Sequence, residues 1–431
     1  MGARSAWDAI IVGASTAGCT AAIFMARKGA RVLLLDRASD PNAYKKTCSH
    51  FIQPSATATL ERLGVLGRMT ALGATCSAFN TWTPFGWIEQ GPEVAGWNLR
   101  RERLDPLLRT LAAETKGVEL RMGRTVKALV RESGRVTGVV THASARAGGE
   151  AGEPEEVRGH LVVGADGRHS KVADLTGFET RTSANGRFCY LAYYEGIALP
   201  TNKAHLWVLD PDTVYALPTD GNQTCLVVMP RKSRLGEFKA DFDGAFARIF
   251  GSAENGPDVR AGKRVSEFFG MIELPNHIRR PARDGVALLG DAAMTSDPLF
   301  GVGVGWALQT GEWLAEDVTD AVVAGERAAI DRALETYATH HGARLRKHHE
   351  IINQSSAAKP LNLVESILLG AAARDRSFGD EFARVSARLV QPDAVLTPRG
   401  LLRATWIRAT KRPLRPIGSK ILSRAAPSEW T

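Results

Sequence analysis

The chain has no run of about 18 apolar residues, the length a helix needs to cross a bilayer. Its short apolar stretch Ala9–Val12 runs straight into glycine, unlike the core of a secretion signal. No membrane span or cleaved leader is therefore expected, and the cytoplasm is the expected location. Cysteine is scarce and scattered: Cys19, Cys48, Cys76, Cys189 and Cys225 are odd in number and form no CxxC pair. That argues against a disulfide framework or a zinc knuckle and suits a reducing compartment. Repeats and low-complexity tracts are missing too. Acidic residues are absent from one place in particular, since Arg399–Arg424 holds eight Lys/Arg and no Asp/Glu, most of the net charge of +9. Basic charge confined to one tail without a recognition motif gives nucleic-acid binding no support. Two readings of the tail stay open. One is a solvated extension broken by Pro413 and Pro416; the other is a peripheral contact of Trp406, Ile407, Leu414, Ile421 and Leu422 with an anionic membrane surface or partner.

What is present is enough apolar residue, 44% of 431, to bury the core of two or three domains. DAIIVG (8–13) reads as a buried strand, 16–29 as a helix with small residues on one side, and RVLLLD (31–36) as a second strand, one βαβ unit. A helical period covers 104–114. Alternation over 118–142, with Ser133-Gly134 at a turn, predicts antiparallel strands, and the Gly-rich 147–155 predicts an exposed hairpin loop. HLVVGADG is another strand. From 182 to 280, short β-rich runs broken by turns such as Thr219–Asn222 predict a separate antiparallel sheet. A buried strand returns at GVALLGDAA, and helix dominates from Gly303 to Leu389. His340, His341, His348 and His349 fall in that helical stretch, where a solvated face outweighs metal ligation; no metal site is expected.

Three segments carry chemistry. GASTAG (13–18) places Gly13, Ser15 and Gly18 where a dinucleotide fingerprint needs a tight turn, close approach of a pyrophosphate, and close helix packing. Serine replaces the middle glycine, and its hydroxyl is suited to a phosphate oxygen at the helix N-terminus. Asp36 ends the second strand, where a carboxylate accepts ribose hydroxyls. VVGADGRHS (162–170) puts Asp166 on a tight turn, with Ser170 placed to cap the next helix. In ALLGDAAMTSDPLFGVGVG (287–305) a strand delivers Asp291, Pro298 stiffens a loop, and Gly301, Gly303 and Gly305 open a helix. Such a start offers bare N–H groups to a partly negative ring oxygen.

In that order and spacing these segments resemble the flavoprotein monooxygenases of the para-hydroxybenzoate hydroxylase type, over roughly residues 8–320. Flavin-dependent halogenases and geranylgeranyl reductases share the fold. The resemblance implies an α/β chain with a Rossmann-like FAD-binding domain over 1–180, an inserted antiparallel substrate domain over 181–280 to which 79–97 contribute, a return to the FAD domain over 281–330, and a helical C-terminal region over 331–431. It implies that Gly13, Ser15, Ala17 and Gly18 line the pyrophosphate and that Asp36 and Arg37 meet the adenosine. Arg101 and the backbone of Val126 would also touch FAD; Asp166 and Gly167 would face both FAD and the pyridine nucleotide. Asp291 would hold the ribityl chain, with Pro298, Gly301, Gly303 and Val304 near the ring. Three positions depart from the pattern: Met294 stands for its histidine, Gly305 for its asparagine, and Ala173 for its arginine.

In such enzymes reduced flavin and O2 give a C4a-hydroperoxide, and the protein supplies position and dryness. The expected activity is hydroxylation or epoxidation of a hydrophobic small molecule with NADPH or NADH as donor, directly or through a separate flavin reductase. Halogenation and isoprenoid double-bond reduction are the alternatives. A WxWxIP segment is absent, and Lys45 or Lys46 is only a loose stand-in for a halogenase lysine. His50 and Tyr193, with Tyr194 beside it, are the candidate acid–base residues. Trp82, Phe85 and Trp87 are the candidate substrate wall, with sheet packing as their other reading.

Overall fold

The computed structural model describes residues 7–144 and 152–414. Trp7–Val12 lies at the centre of a parallel sheet, with Val32–Leu35 then Val118–Arg121 on one side and Glu155–Gly164 then Val286–Leu288 on the other. Both faces of this sheet are covered over residues 9–12, 32–35, 161–163 and 286–288, which is why those stretches read as unbroken apolar runs. Ala9, Ile11, Val32 and Leu34 point to a helical layer that includes Thr16–Arg27, Arg101–Glu114 and Gly303–Ala324. Ile10, Val12, Leu33 and Leu35 point instead to a hairpin of Arg124–Glu132 and Arg135–Ala143. That hairpin turns at Ser133 and Gly134, with φ of 48° and 83°, the left-handed pair that a two-residue turn of this hand requires. Small residues bring the first helix against Gly303–Ala324: a Cβ at Gly311 would stand 2.8 Å from the Ala17 carbonyl. Most of the stretch 147–155 lies outside the described residues.

The second sheet is largely antiparallel, built from Cys189–Glu195, Gln223–Met229, Thr213–Thr219 and Ala204–Val208 with short edge strands. Phe79–Thr83 and Gly86–Glu89 extend one edge, while Gly96–Asn98 pair with Phe51–Ile52 and Thr75–Ser77 in a small separate sheet. Its two faces differ. Tyr194, Trp207 and Trp87 pack under the helix Phe242–Gly251, whereas Leu191, Tyr193, Tyr215 and Leu217 pack toward Leu299 and Phe79 on the side of the nucleotide sheet.

Among the described residues four further α-helices follow, Arg327–Ser355, Leu363–Ala372, Arg376–Ser386 and Pro398–Thr410. The first corrects the expected solvated histidine face: His341, His348 and His349 are buried. His349 Nε2 lies 3.0 Å from the Thr295 carbonyl, and His341 packs edge-on to Tyr337. The helix turns this face, with Ile330, Leu334, Tyr337 and Leu345, onto the body of the protein. The basic tail is corrected in part. Residues 398–410 are a packed helix with Ile407 and Ala404 buried, and residues beyond Leu414 lie outside the described ones. No helix among the described residues is long and apolar enough to cross a membrane.

Candidate active site

The three glycine-bearing segments, far apart in sequence, meet at the carboxyl ends of adjacent parallel strands. Ala165 N–H bonds the Val12 carbonyl at 2.8 Å, and Leu289 N–H bonds the Gly164 carbonyl at 2.9 Å. This is the crevice where open α/β sheets bind ligands, at the strand where the winding reverses. Gly13 has φ +111°, and a Cβ there would overlap the Ala165 carbonyl; a Cβ at Gly18 would overlap the Gly13 carbonyl. Glycine is compulsory at both. Ser15 is different, because its φ of −112° and ψ of −160° are extended backbone open to any residue. Its hydroxyl accepts a hydrogen bond from Arg101 Nη2 at 2.8 Å and makes no bond to cap the helix.

The first turn of Thr16–Arg27 therefore keeps its N–H groups free of a side-chain cap. It carries no acidic residue, and Thr16 Oγ1 is buried without a hydrogen-bond partner. Ala17 is buried beside Gly290. Donors thus gather where an anion is stabilised by the helix dipole. The Asp36 carboxylate is aimed by Ala14 N–H at 2.7 Å and Ala38 N–H at 2.8 Å, which leaves each oxygen a further lone pair for a hydroxyl. Arg37 beside it is exposed, and Val126 is buried on the neighbouring hairpin, whose Arg124 N–H bonds the Asp36 carbonyl at 2.7 Å.

Asp291 pairs with Lys45 Nζ at 2.9 Å. Burial opposes its ionisation, but Lys45, then Arg168 and Arg101, hold its carboxyl below the usual range. Gly303 opens the helix beside it: a Cβ there would meet nothing nearer than Asp291 Oδ1 at 3.9 Å. Val304 is buried in the same turn. Pro298 begins one tight turn, capped by Asp297 and closed by Gly301 at φ 59° next to Phe51. This loop is tied down from several directions. The Tyr215 hydroxyl donates to the Leu299 carbonyl, Gln53 Nε2 donates to the Phe300 carbonyl at 2.6 Å, and buried Arg187 pairs with Asp297 at 3.3 Å.

The Asp166 carboxylate is held within its own turn. Its oxygens accept from Ser170 Oγ at 2.6 Å and Val172 N–H at 3.1 Å, so it stabilises the start of the helix Lys171–Thr176, which Ser170 also caps. Burial raises its pKa against those bonds. Gly167, at φ 81°, makes the turn.

His50 and Tyr193 come together. The Tyr193 hydroxyl is hydrogen-bonded to His50 Nε2, and Arg101 N–H reaches His50 Nδ1 at 3.0 Å. A backbone N–H only donates, so Nδ1 is the acceptor and the neutral ring carries its proton on Nε2. Tyr193 oxygen then accepts from His50, and its own proton is left to donate elsewhere. Burial first, then the Arg101 charge, push the His50 pKa down to about 3. His50 holds φ +64°, a rare conformation for a non-glycine residue. Both residues line a cleft of about 130 Å³ with Tyr44, Lys46, Arg100, Glu102, Gln223, Val265, Ser266 and Phe269. Arg100 lies over the Tyr193 ring, 5.8 Å from its centroid, and donates to buried Asp220, which Arg103 also meets at 2.9 Å.

The expected aromatic wall lies elsewhere. Trp82 Nε1 donates to Glu254 at 3.1 Å, Trp87 packs edge-on to Trp207, and Phe85 sits under Arg408 in the C-terminal cluster. In the strand Phe79–Thr83 alternate side chains take opposite faces, so Phe79 faces Phe51 and Trp82 the far helix. Tyr194 likewise stacks on Phe246, away from the cleft. The sequence reading missed Arg100, Asp220, Gln223, Ser266 and Phe269. Only the turn at Thr219–Asn222 carried a signal, read as a hairpin and not as the anchor of an arginine.

One arginine spans both ends of the site. Arg101 gives its backbone N–H to His50, its Nη2 to Ser15, and its Nε to Asp105 at 2.8 Å. Helix N–H donors, the orphan Thr16 hydroxyl and Arg101 match a pyrophosphate, and Asp36 and Asp291 match polyol hydroxyls. Those residues fit a flavin dinucleotide. A family model described as an FAD binding domain matches residues 6–348, and the chain belongs to that family. It is an FAD-dependent oxidoreductase. It is similar to the digeranylgeranylglycerophospholipid reductase of Methanosarcina mazei, 26% identical over 76% of this chain and 78% of that one. It is also similar to the 6-methylpretetramide 4-monooxygenase of Streptomyces rimosus, 28% identical over 76% of this chain and 81% of that one. Among solved structures, the flavin-dependent brominase Bmp2 aligns with a TM-score of 0.74 at 18% identity, over 94% of this chain and 97% of that one. That identity speaks for the fold alone.

Proposed function

We propose that the protein is an FAD-dependent monooxygenase that uses NADH or NADPH and O2 to oxygenate a small aromatic molecule bearing a hydroxyl or similar polar group. The observation that carries this reading is the His50–Tyr193 pair lining the cleft, with His50 Nδ1 held by the Arg101 N–H, an arrangement that would leave the Tyr193 hydroxyl to donate to a substrate oxygen. When bound, FAD supplies hydride acceptance and oxygen activation. Gly13, Ser15, Gly18, Arg101, Asp36 and Asp291 would hold it; with the nicotinamide supplying two electrons as hydride and solvent supplying a proton, one atom of O2 would enter the substrate and the other leave as water. Tyr193 orients the substrate oxygen, His50 fixes the direction of that hydrogen bond, and Val265 and Phe269 supply apolar contact. The lining is mostly polar, which favours a substrate less hydrophobic than composition suggested and disfavours a long isoprenoid chain.

A second reading is halogenation, favoured by Lys46 at the cleft. The deciding experiment loads the purified enzyme with FAD and supplies NADH or NADPH under ¹⁸O2 with a panel of phenols. One ¹⁸O atom in the product is the expected result. Product formed without oxygen would replace the proposal with reduction, and halide-dependent product would replace it with halogenation. Absence of flavin reduction by either donor, corrected by an added flavin reductase, identifies a two-component system.

A further inference from the structure

Seven of the ten exposed large apolar side chains among the described residues lie between Leu363 and Leu414. The helix Pro398–Thr410 shows why this clustering has a direction. Ala404 and Ile407 pack inward against Leu363–Ala372, while Leu402 and Trp406, one turn apart on the opposite side, are 72% and 61% exposed. Arg399 falls on the same stripe at the i, i+3, i+7 spacing of one helix face. The inner basic residues are engaged: Arg403 pairs with Glu381 at 2.7 Å, Lys411 with Asp375, and Arg408 covers Phe85. Arg399 and Arg412 face solvent at the two ends. No acidic residue stands between Arg399 and Arg424 to oppose a negative surface, and Arg415, Lys420 and Arg424 follow in the sequence.

We infer that this outer face is a docking surface for an anionic phospholipid bilayer, with Leu402 and Trp406 inserted at the headgroup level and the basic residues against lipid phosphates. A second copy of the chain carries the same positive charge on this segment and would be repelled by it. An acyl boundary rimmed with anions accommodates both a Trp/Leu pair and arginines. Neither group alone suffices, since peripheral binding generally requires two signals acting together.

The test is co-sedimentation of the full-length, FAD-loaded protein with vesicles of phosphatidylcholine alone or with one-third phosphatidylserine. Binding is expected only to the anionic vesicles and is expected to fall in 0.5 M salt. Leu402→Glu with Trp406→Glu should lower the partition coefficient at least about ten-fold, and Arg399→Glu about five-fold. Both variants change exposed side chains, so flavin absorbance and thermal midpoint should match the parent. Equal binding to neutral vesicles, or binding untouched by the double variant, overturns the proposal. A mass increase in light scattering that the double variant abolishes, without vesicle binding, assigns the face to a second copy instead. Vesicle-independent capture of a polyanionic protein by the parent alone assigns it to an acidic partner.

Discussion

The cofactor end and the cleft share Arg101, yet they are built on different terms. At the cofactor end, backbone geometry dictates identity: Gly13 and Gly18 have no room for a Cβ, and Asp36 and Asp291 stand where parallel strands end. At the cleft, identity comes from side chains gathered out of distant segments, His50, Arg100, Tyr193, Asp220 and Ser266, and of these only His50 stands on an unusual backbone. Sterics written into a short segment leave a mark on the sequence. A constellation assembled by packing leaves almost none.

The sharpest way to break that contrast is to add one methyl group at the cofactor end. Gly18→Ala and Gly13→Ala force a Cβ onto a carbonyl, and at Gly13 also onto a left-handed backbone. Loss of FAD retention together with a stability loss of about 3 kcal/mol or more is expected, read by flavin absorbance after gel filtration and by denaturant melts. Full retention would show that the strand and helix can move apart.

At the cleft the largest effect should come from a residue that touches no ligand. Asp220→Ala removes the buried carboxylate shared by Arg100 and Arg103 and leaves half-buried Arg100 with Glu102 and Gln223, at a cost of about 2 kcal/mol. Urea titration would measure it, and a loss below about 1 kcal/mol would mean that water or Glu102 replaces the carboxylate.

Acid should act through buried histidines, one at the cleft and three outside both regions, on the second sheet and on the helix Arg327–Ser355. Burial pushes His50 to about 3 and His205, His341 and His348 each to about 4, all below the 6.5 of an unfolded histidine. The unfolded chain therefore binds more protons, so stability present above pH 6.5 is lost as pH falls toward 4. Tm should decline across that window, and His50→Asn should flatten the decline by up to one proton's worth. A Tm independent of pH there would contradict neutral buried rings.

Tyr193→Phe probes the cleft with the fold left intact. If Tyr193 orients the substrate oxygen, kcat/KM should fall about 10²-fold while FAD binding is unchanged, and phenol substrates should lose more than analogues lacking the hydroxyl. Equal losses for both would assign the ring to packing.

These differences explain what was legible. The βαβ start, the three glycine-bearing segments and the return strand at Val286 follow from period and turn chemistry, and their convergence from parallel pairing. Trp82, Phe85 and Trp87 misled because composition reports aromatic density and not face. In Phe79–Thr83 an odd spacing of three residues puts Phe79 on the cleft side and Trp82 on the far side. The histidines of Arg327–Ser355 misled in the reverse sense, since polar residues on a long helix read as solvated until the helix is laid against the sheet.

Ser15 is where the two terms meet, and it carries the smallest expected effect. Its backbone is extended, so Ser15→Gly relieves no strain and fills no need for a left-handed turn. What it removes is one acceptor, at 2.8 Å from Arg101 Nη2, while that guanidinium keeps Asp105. A single net hydrogen bond is worth about 1 kcal/mol, so FAD affinity should weaken about five-fold in isothermal titration of the apoprotein. Because Arg101 also fixes His50 through its backbone, and that contact is untouched, the Tyr193-dependent preference for phenols should persist. Loss of that preference in Ser15→Gly would show that the pyrophosphate loop and the cleft are coupled through the guanidinium. Unchanged affinity would mean that the hydroxyl is incidental and that serine merely occupies a place where glycine was never required.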